Sequence, residues 1–227
     1  MLKAIIFDCD GVLVDSEPVH FDMFQKVLAE EGIELTYEAY ETRYLAMDDR
    51  GCFGAVYRDA EREMSDELLD NLVGRKAEYF AGEMSGEPPT FDGVVDFVRG
   101  SAAKYPMMIA SGALGHEVKN AVVGLSISDC FKGIVAAEDV VNGKPNPEAY
   151  LTALARMSEA EFDGTLKADE CLVVEDSFHG VRAAKSAGMW CLAVTNSYPA
   201  SELSEADWVT ESLRAFELGT AELVMKS

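Results

Sequence analysis

No stretch of this 227-residue chain approaches the run of about 18 uncharged apolar residues that a membrane-spanning helix needs. Positive charge is scarce: 19 Lys and Arg stand against 41 Asp and Glu, a formal net charge of −22. Nothing basic is clustered enough to follow a phosphate backbone, so neither nucleic acid nor an anionic membrane surface is an expected partner. An anionic substrate would need a local cationic pocket or a metal ion to overcome the overall field. Cysteine is limited to five residues, at 9, 52, 130, 171 and 191, with no Cys-x-x-Cys and mostly apolar neighbours. That pattern excludes a disulfide framework and predicts reduced core thiols in a cytoplasmic protein. His116 and His179 have no metal-ligand spacing with any cysteine. The first apolar run is broken by Asp8, too early for a secretory signal, and there is no internal repeat.

What the chain has is 48% hydrophobic residues, enough for a sizeable core in one large domain or a core with a smaller insert. Its first 16 residues organise the rest. The apolar run before Asp8 predicts a buried strand, and the acids and glycine that end it place Asp8 and Asp10 at a sheet edge. Alternate strand residues point the same way, so both carboxylates would face one place, which a cation would make tolerable. Asp-Gly is also an ordinary strand-ending turn, and this stretch alone leaves both readings open.

Ser16-Glu17-Pro18 reads as a helix start with a capping hydroxyl, and Gly32 as its end. From there to about Gly82 the sequence stays helical, and the breaker cluster Gly86-Glu87-Pro88-Pro89-Thr90 predicts a linker. Beyond it, short apolar runs at 106–111, 131–137, 170–174 and 190–194 alternate with helical segments, including 115–124 and 178–187. Alternation of this kind predicts a parallel sheet covered on both faces. The expected fold is therefore α/β: a Rossmann-like parallel sheet core, residues 1–15 and 90–227, with an inserted helical-bundle cap, residues 16–89.

In such a sheet, ligands bind beyond the carboxyl ends of the strands. The residues there are Asp8 and Asp10, Ser111-Gly112, and Glu175-Asp176, with Lys144 from the loop 142–147. Several acids suit Mg²⁺, a serine with free amides suits a phosphate, and a lysine adds a point charge. Each alone has a plainer reading as a cap, a turn or a solvated loop residue.

Together these residues resemble the haloacid dehalogenase superfamily in four motifs: Asp8-x-Asp10-Gly11-Val-x-x-Asp15-Ser16, Ser111, Gly143-Lys144-Pro145-x-Pro147, and Glu175-Asp176-Ser177-x-x-Gly180. The likeness is to its helical-cap phosphatase and phosphomutase branch, similar to the beta-phosphoglucomutases and related sugar-phosphate phosphatases. The resemblance implies Asp8 as nucleophile, forming an aspartyl phosphate, and Asp10 as general acid and base. It implies Mg²⁺ on Asp8, the Asp10 carbonyl and Asp176, with Glu175 bound directly or through a neighbour. Ser111, Gly112 and Lys144 would hold the phosphoryl oxygens. The substrate implied is a small phosphomonoester, a sugar phosphate or similar. Gly11 and Pro88-Pro89 would serve as hinges to a cap that excludes water. Its cations are Arg43, Arg50, Arg58, Arg75 and Lys76. Lys76 resembles the mutase's sugar-phosphate lysine, and Arg50 and His20 are further candidates for touching substrate. An acid, Asp49, stands nearest to where the mutases have an arginine. That departure and the wording Asp-Ser-Glu-Pro favour a phosphatase over a phosphomutase.

Two other readings compete. Cys52-x5-Arg58 has the spacing of a cysteine phosphatase loop, though it lies in helical sequence. A phospho-receiver module also gathers acids, Mg²⁺, a hydroxyl and a lysine on a parallel sheet, but carries its aspartate after a middle strand and lacks a helical insert.

Overall fold

A computed structural model describes residues 1–45, 47–84, 86 and 88–225. Strand β1 (Ala4–Phe7) is followed by four helices, α1 (Glu17–Glu30), α2 (Tyr37–Arg43), α3 (Asp49–Asp59) and α4 (Asp66–Glu83). The chain then alternates through α5 (Val94–Ala102), β2 (Met107–Ala110), α6 (Gly115–Gly124), β3 (Ile134–Val135), α7 (Glu148–Phe162), β4 (Cys171–Glu175), α8 (Phe178–Ser186) and β5 (Trp190–Val194). It closes with β6 (Trp208–Thr210) and α9 (Leu218–Val224). Two compact units result, Met1–Asp15 with Glu87–Ser227 and Ser16–Gly86. Glu87, within the linker expected at 86–90, lies outside the described residues.

The first unit is a Rossmann-like α/β fold. Its six strands run parallel in the order β3-β2-β1-β4-β5-β6. Every residue of β1, β2 and β4 is buried, because helices cover both faces and leave no solvent side for alternation. One face packs Ile6, Val173 and Cys191 against Tyr150, Ala153 and Met157 of α7 and Val181 and Ala184 of α8. Each fully buried aliphatic side chain there contributes roughly 1.5–3 kcal/mol. The strand order reverses between β1 and β4, where an open sheet leaves its crevice. The register Phe7↔Val174 makes Asp8 and Glu175 the next residues on the two strands flanking it. β6 is an edge strand the sequence did not announce, only three residues long and none of them buried.

The second unit has its own core, with Phe24, Leu28, Tyr40, Phe53, Val56 and Leu72 buried together. Thr36, Asp48 and Ser65 cap α2, α3 and α4 through their side chains. Ser16 does not cap α1, contrary to expectation: at φ −76° and ψ −17° its backbone is already helical, whereas a capping hydroxyl needs an extended residue.

Candidate active site

β1 ends at Phe7, so the strand alternation expected to align Asp8 with Asp10 is absent. The chain turns at Cys9, whose carbonyl accepts from the amides of Val12, Leu13 and Val14 at 2.7–3.3 Å. Asp10 lies on that turn, bridged to Val14, and close enough to Asp8 to raise its pKa. Gly11 follows at φ 73°. A β-carbon there would sit 1.9 Å from Asp176 Oδ2, so the position combines a left-handed backbone with a close approach that only glycine permits.

The structure brings Asp8, Lys144, Glu175 and Asp176 together. Lys144 Nζ lies 2.9 Å from Asp8 Oδ1 and 2.7 Å from Glu175 Oε1. Oxygens of Asp8, Glu175 and Asp176 lie within 4.8 Å of one another, the one such group among the described residues. Ser111 and Gly112 follow β2 at the same end of the sheet; the Ser111 hydroxyl accepts from the Ala113 amide at 3.0 Å, and Gly112 is exposed. Lys76, Arg50 and His20 belong to the second unit. There Lys76 is 2% exposed, with Nζ 2.5 Å from Asp49 Oδ1 and 2.7 Å from His20 Nδ1. Arg50 pairs with Asp70 at 2.5 Å. Burial, then the Lys76 charge, pushes His20 down to about 4, so its neutral ring accepts from the lysine through Nδ1.

Three carboxylates face one ammonium, and the electrostatics show the deficit. Burial raises Asp8 to about 7, with Lys144 pulling the other way. Burial, then Glu175 and Asp8, raises Asp176 to about 8. Burial opposes the charge on Lys144, but Asp8 and Glu175 outweigh it and hold its pKa above the ordinary value. Glu175 is lowered despite complete burial, by Lys144 and its hydrogen bonds. Asp8 Oδ1 is buried without a hydrogen bond of normal geometry and meets only the lysine's charge. A buried carboxylate oxygen without a well-aligned hydrogen bond, beside a second acid whose pKa is raised by burial and then by its acidic neighbours, fits a divalent cation, and an all-oxygen donor set suits Mg²⁺.

Three groups here, Tyr150, Asn196 and Ser197, had no warning in the motifs, and a fourth, Ser177, stands in the last motif without an assigned role. Tyr150, fully buried on α7, donates to Glu175 Oε1 at 2.7 Å. Ser177 donates to Glu175 Oε2 through both its amide and its hydroxyl at 3.0 Å. After β5, Asn196 Nδ2 donates to the Gly11 carbonyl at 2.7 Å and the Ser197 hydroxyl donates to Asp176 Oδ2. The sequence signal for Tyr150 is a polar-tipped residue in an otherwise apolar stripe, Tyr150, Ala153, Met157, at helical spacing.

The cysteine-phosphatase reading fails. Cys52 is buried within α3, where successive amides bond along the helix and cannot cradle a phosphate, and burial pushes its thiol up to about 12. The receiver reading also fails to fit, since Asp8 follows the first strand of six and five helices, four of them in the second unit, separate it from the second strand.

Residues 2–188 match the family model of haloacid dehalogenase-like hydrolases. The phosphorylated carbohydrates phosphatase of Thermotoga maritima is 29% identical over 188 residues, covering 83% of this chain and 82% of that protein. The fructose-1-phosphate phosphatase YqaB of Escherichia coli is 27% identical, covering 82% and 93%. A solved beta-phosphoglucomutase of Clostridium difficile superposes with a TM-score of 0.74 at 20% identity, covering 100% of this chain and 98% of that one, a likeness of fold. Among the described residues no helix is long and apolar enough to cross a membrane. The matched span takes in β1, the lysine loop and the paired acids at the end of β4, and the chain belongs to the haloacid dehalogenase-like hydrolases.

Proposed function

We propose that this protein is a Mg²⁺-dependent phosphatase that hydrolyses a small phosphomonoester, a sugar phosphate or a similar metabolite, through an aspartyl phosphate on Asp8. The observation that carries the reading is the Lys144 ammonium between Asp8 and Glu175, with Asp176 beside them. The family and its phosphatase members support the reaction class.

Asp8 attacks phosphorus, forming the acyl phosphate as the ester P–O bond breaks. Asp10 gives its proton to the departing alkoxide, then takes one from the water that attacks the acyl phosphate, releasing inorganic phosphate and free Asp8. Lys144, the Ser111 hydroxyl and the Gly112 amide hold the phosphoryl oxygens where charge develops. Asp8, Asp176 and the Asp10 carbonyl would hold Mg²⁺, which supplies charge neutralisation and orientation of the phosphoryl group.

The alternative, a phosphomutase, needs a cap cation for a second phosphate. Four of the five basic candidates are ion-paired within the helical unit: Arg43 with Asp59, Arg50 with Asp70, Arg75 with Glu30 and Glu31, and Lys76 with Asp49. Hydrolysis is therefore favoured. The test is a screen of phosphorylated metabolites with and without Mg²⁺, including hexose 1-phosphates with a trace of bisphosphate. Mg²⁺-dependent release of phosphate, abolished in Asp8→Asn, is expected. Full turnover by Asp8→Asn would refute the nucleophile, and isomerisation without net hydrolysis would favour the mutase.

A further inference from the structure

We propose that Tyr150 is a positioning residue for this reaction: its hydroxyl and ring fix the Lys144 ammonium against Asp8 by way of Glu175, leaving Glu175 as the anchor of the lysine and not as a ligand of the ion. The inference rests on the proposed phosphatase reading.

Glu175 is 0% exposed and accepts five hydrogen bonds. Oε2 takes the Asp176 amide at 2.9 Å and the Ser177 amide and hydroxyl at 3.0 Å. Oε1 takes Lys144 Nζ and the Tyr150 hydroxyl, each at 2.7 Å. A carboxylate offers about four lone-pair directions, so Glu175 has none left for an ion unless a donor is displaced. The Ser177 hydroxyl that serves Oε2 in turn accepts from the Gly180 amide at 3.0 Å, locking that half of the carboxylate to the first turn of α8. The donors on Oε1 are Lys144 and Tyr150, so these two fix the remaining direction of the carboxylate. Tyr150 meets the lysine twice, through the shared oxygen and through its ring, whose centroid lies 5.0 Å from Nζ. Lys144 sits in the loop before α7 and Tyr150 in the first turn of that helix, so the helix that follows the loop also fixes the end of its lysine. A mobile lysine stem loses side-chain entropy when it grips a ligand, and prior immobilisation removes that cost.

The test measures two affinities on Tyr150→Phe, which removes one oxygen and no packing volume. Inorganic phosphate binding is followed by ³¹P NMR on the Mg²⁺-loaded protein, and Mg²⁺ binding by calorimetry on the phosphate-free protein. The expected result is about tenfold weaker phosphate binding, the scale of one hydrogen bond to a charged group, with Mg²⁺ affinity held within about twofold. In a Lys144→Met background, adding Tyr150→Phe should change phosphate affinity by less than about twofold, since its route is gone; a packing role would act equally in both backgrounds. Unchanged phosphate affinity in Tyr150→Phe, equal losses in both backgrounds, or equal loss of Mg²⁺ and phosphate would each overturn the inference. Wild-type protein that binds no phosphate with Mg²⁺ present would overturn the phosphatase reading itself, a result visible before any variant is made.

Discussion

Gly180 lies so close beneath Glu175 that a β-carbon on it would sit 1.6 Å from Oε1 and 2.3 Å from Oε2. The first turn of α8 thus closes directly over a buried carboxylate, and no side chain fits between them. Gly180→Ala must push Glu175 or the helix aside, breaking the bonds from Lys144 and Ser177. A loss of phosphatase activity of about 100-fold or more is expected, with a destabilisation of about 2–4 kcal/mol. Denaturant unfolding and steady-state kinetics check both, and a variant with near-normal kcat would show that Glu175 is not held as described.

The paired acids predict an unusual pH profile for the metal-free protein. Asp8 and Asp176 hold their protons to about 7 and about 8, against about 3.9 in an unfolded chain. Between those limits the folded state binds more protons than the unfolded one, so stability falls as pH rises from about 4 to about 8. Urea midpoints in EDTA should decline across that window and should decline less with Mg²⁺ present. Asp176→Asn should flatten the slope in EDTA and remove most of the stabilisation by Mg²⁺ if, as proposed, this buried acid is also a ligand of the ion. A slope unaltered by this variant would place the proton uptake elsewhere.

In the helical unit, Lys76 is buried against Phe24 and Phe80, with Asp49 as its counter-ion. Asp49→Ala strands that charge, and a loss of about 2–3 kcal/mol is expected after allowing for the partial exposure of Asp49. Lys76→Met removes both the charge and its need for a partner and should be near neutral. The same variant should raise the NMR-measured pKa of His20 from its value of about 4, though not to the ordinary value, since burial is the larger cause. No rise at all would mean the lysine charge does not reach the ring.

Cys52→Ser should leave phosphatase activity unchanged. The new hydroxyl is buried in α3, so a modest loss of stability, about 1 kcal/mol, is the expected effect. An activity loss in folded protein would reopen a chemical role for this thiol.

The parallel core and the helical insert were legible because their signals are local. An apolar run such as Ala4–Phe7, ended by acids, has few other places to go, and 115–124 was bounded by glycines where the helix does begin and end. Asp8, Lys144, Glu175 and Asp176 were legible for a different reason: each stands at or just past a strand end, or in a loop, at the one end where an open sheet binds ligands. The turn that takes Asp10 off the strand was one of two readings that Asp10-Gly11 left open, and the choice between them rests on three amides converging on the Cys9 carbonyl, which residue type does not show. Tyr150, Asn196 and Ser197 were not legible, since their roles depend on which acceptor lies within reach after folding. The Lys76–Asp49 pair, though both residues drew notice, needed coordinates to show that one cancels the other.

Asn196 and Ser197, just after β5, tie down the carbonyl of Gly11 and the carboxylate of Asp176, yet they lie past residue 188, where the family match stops. Exchange of the C-terminal segment with that of a relative would therefore import or discard these two tethers while leaving every signature acid in place. A chimera of that kind would keep its motifs and lose the tension that holds them to one another.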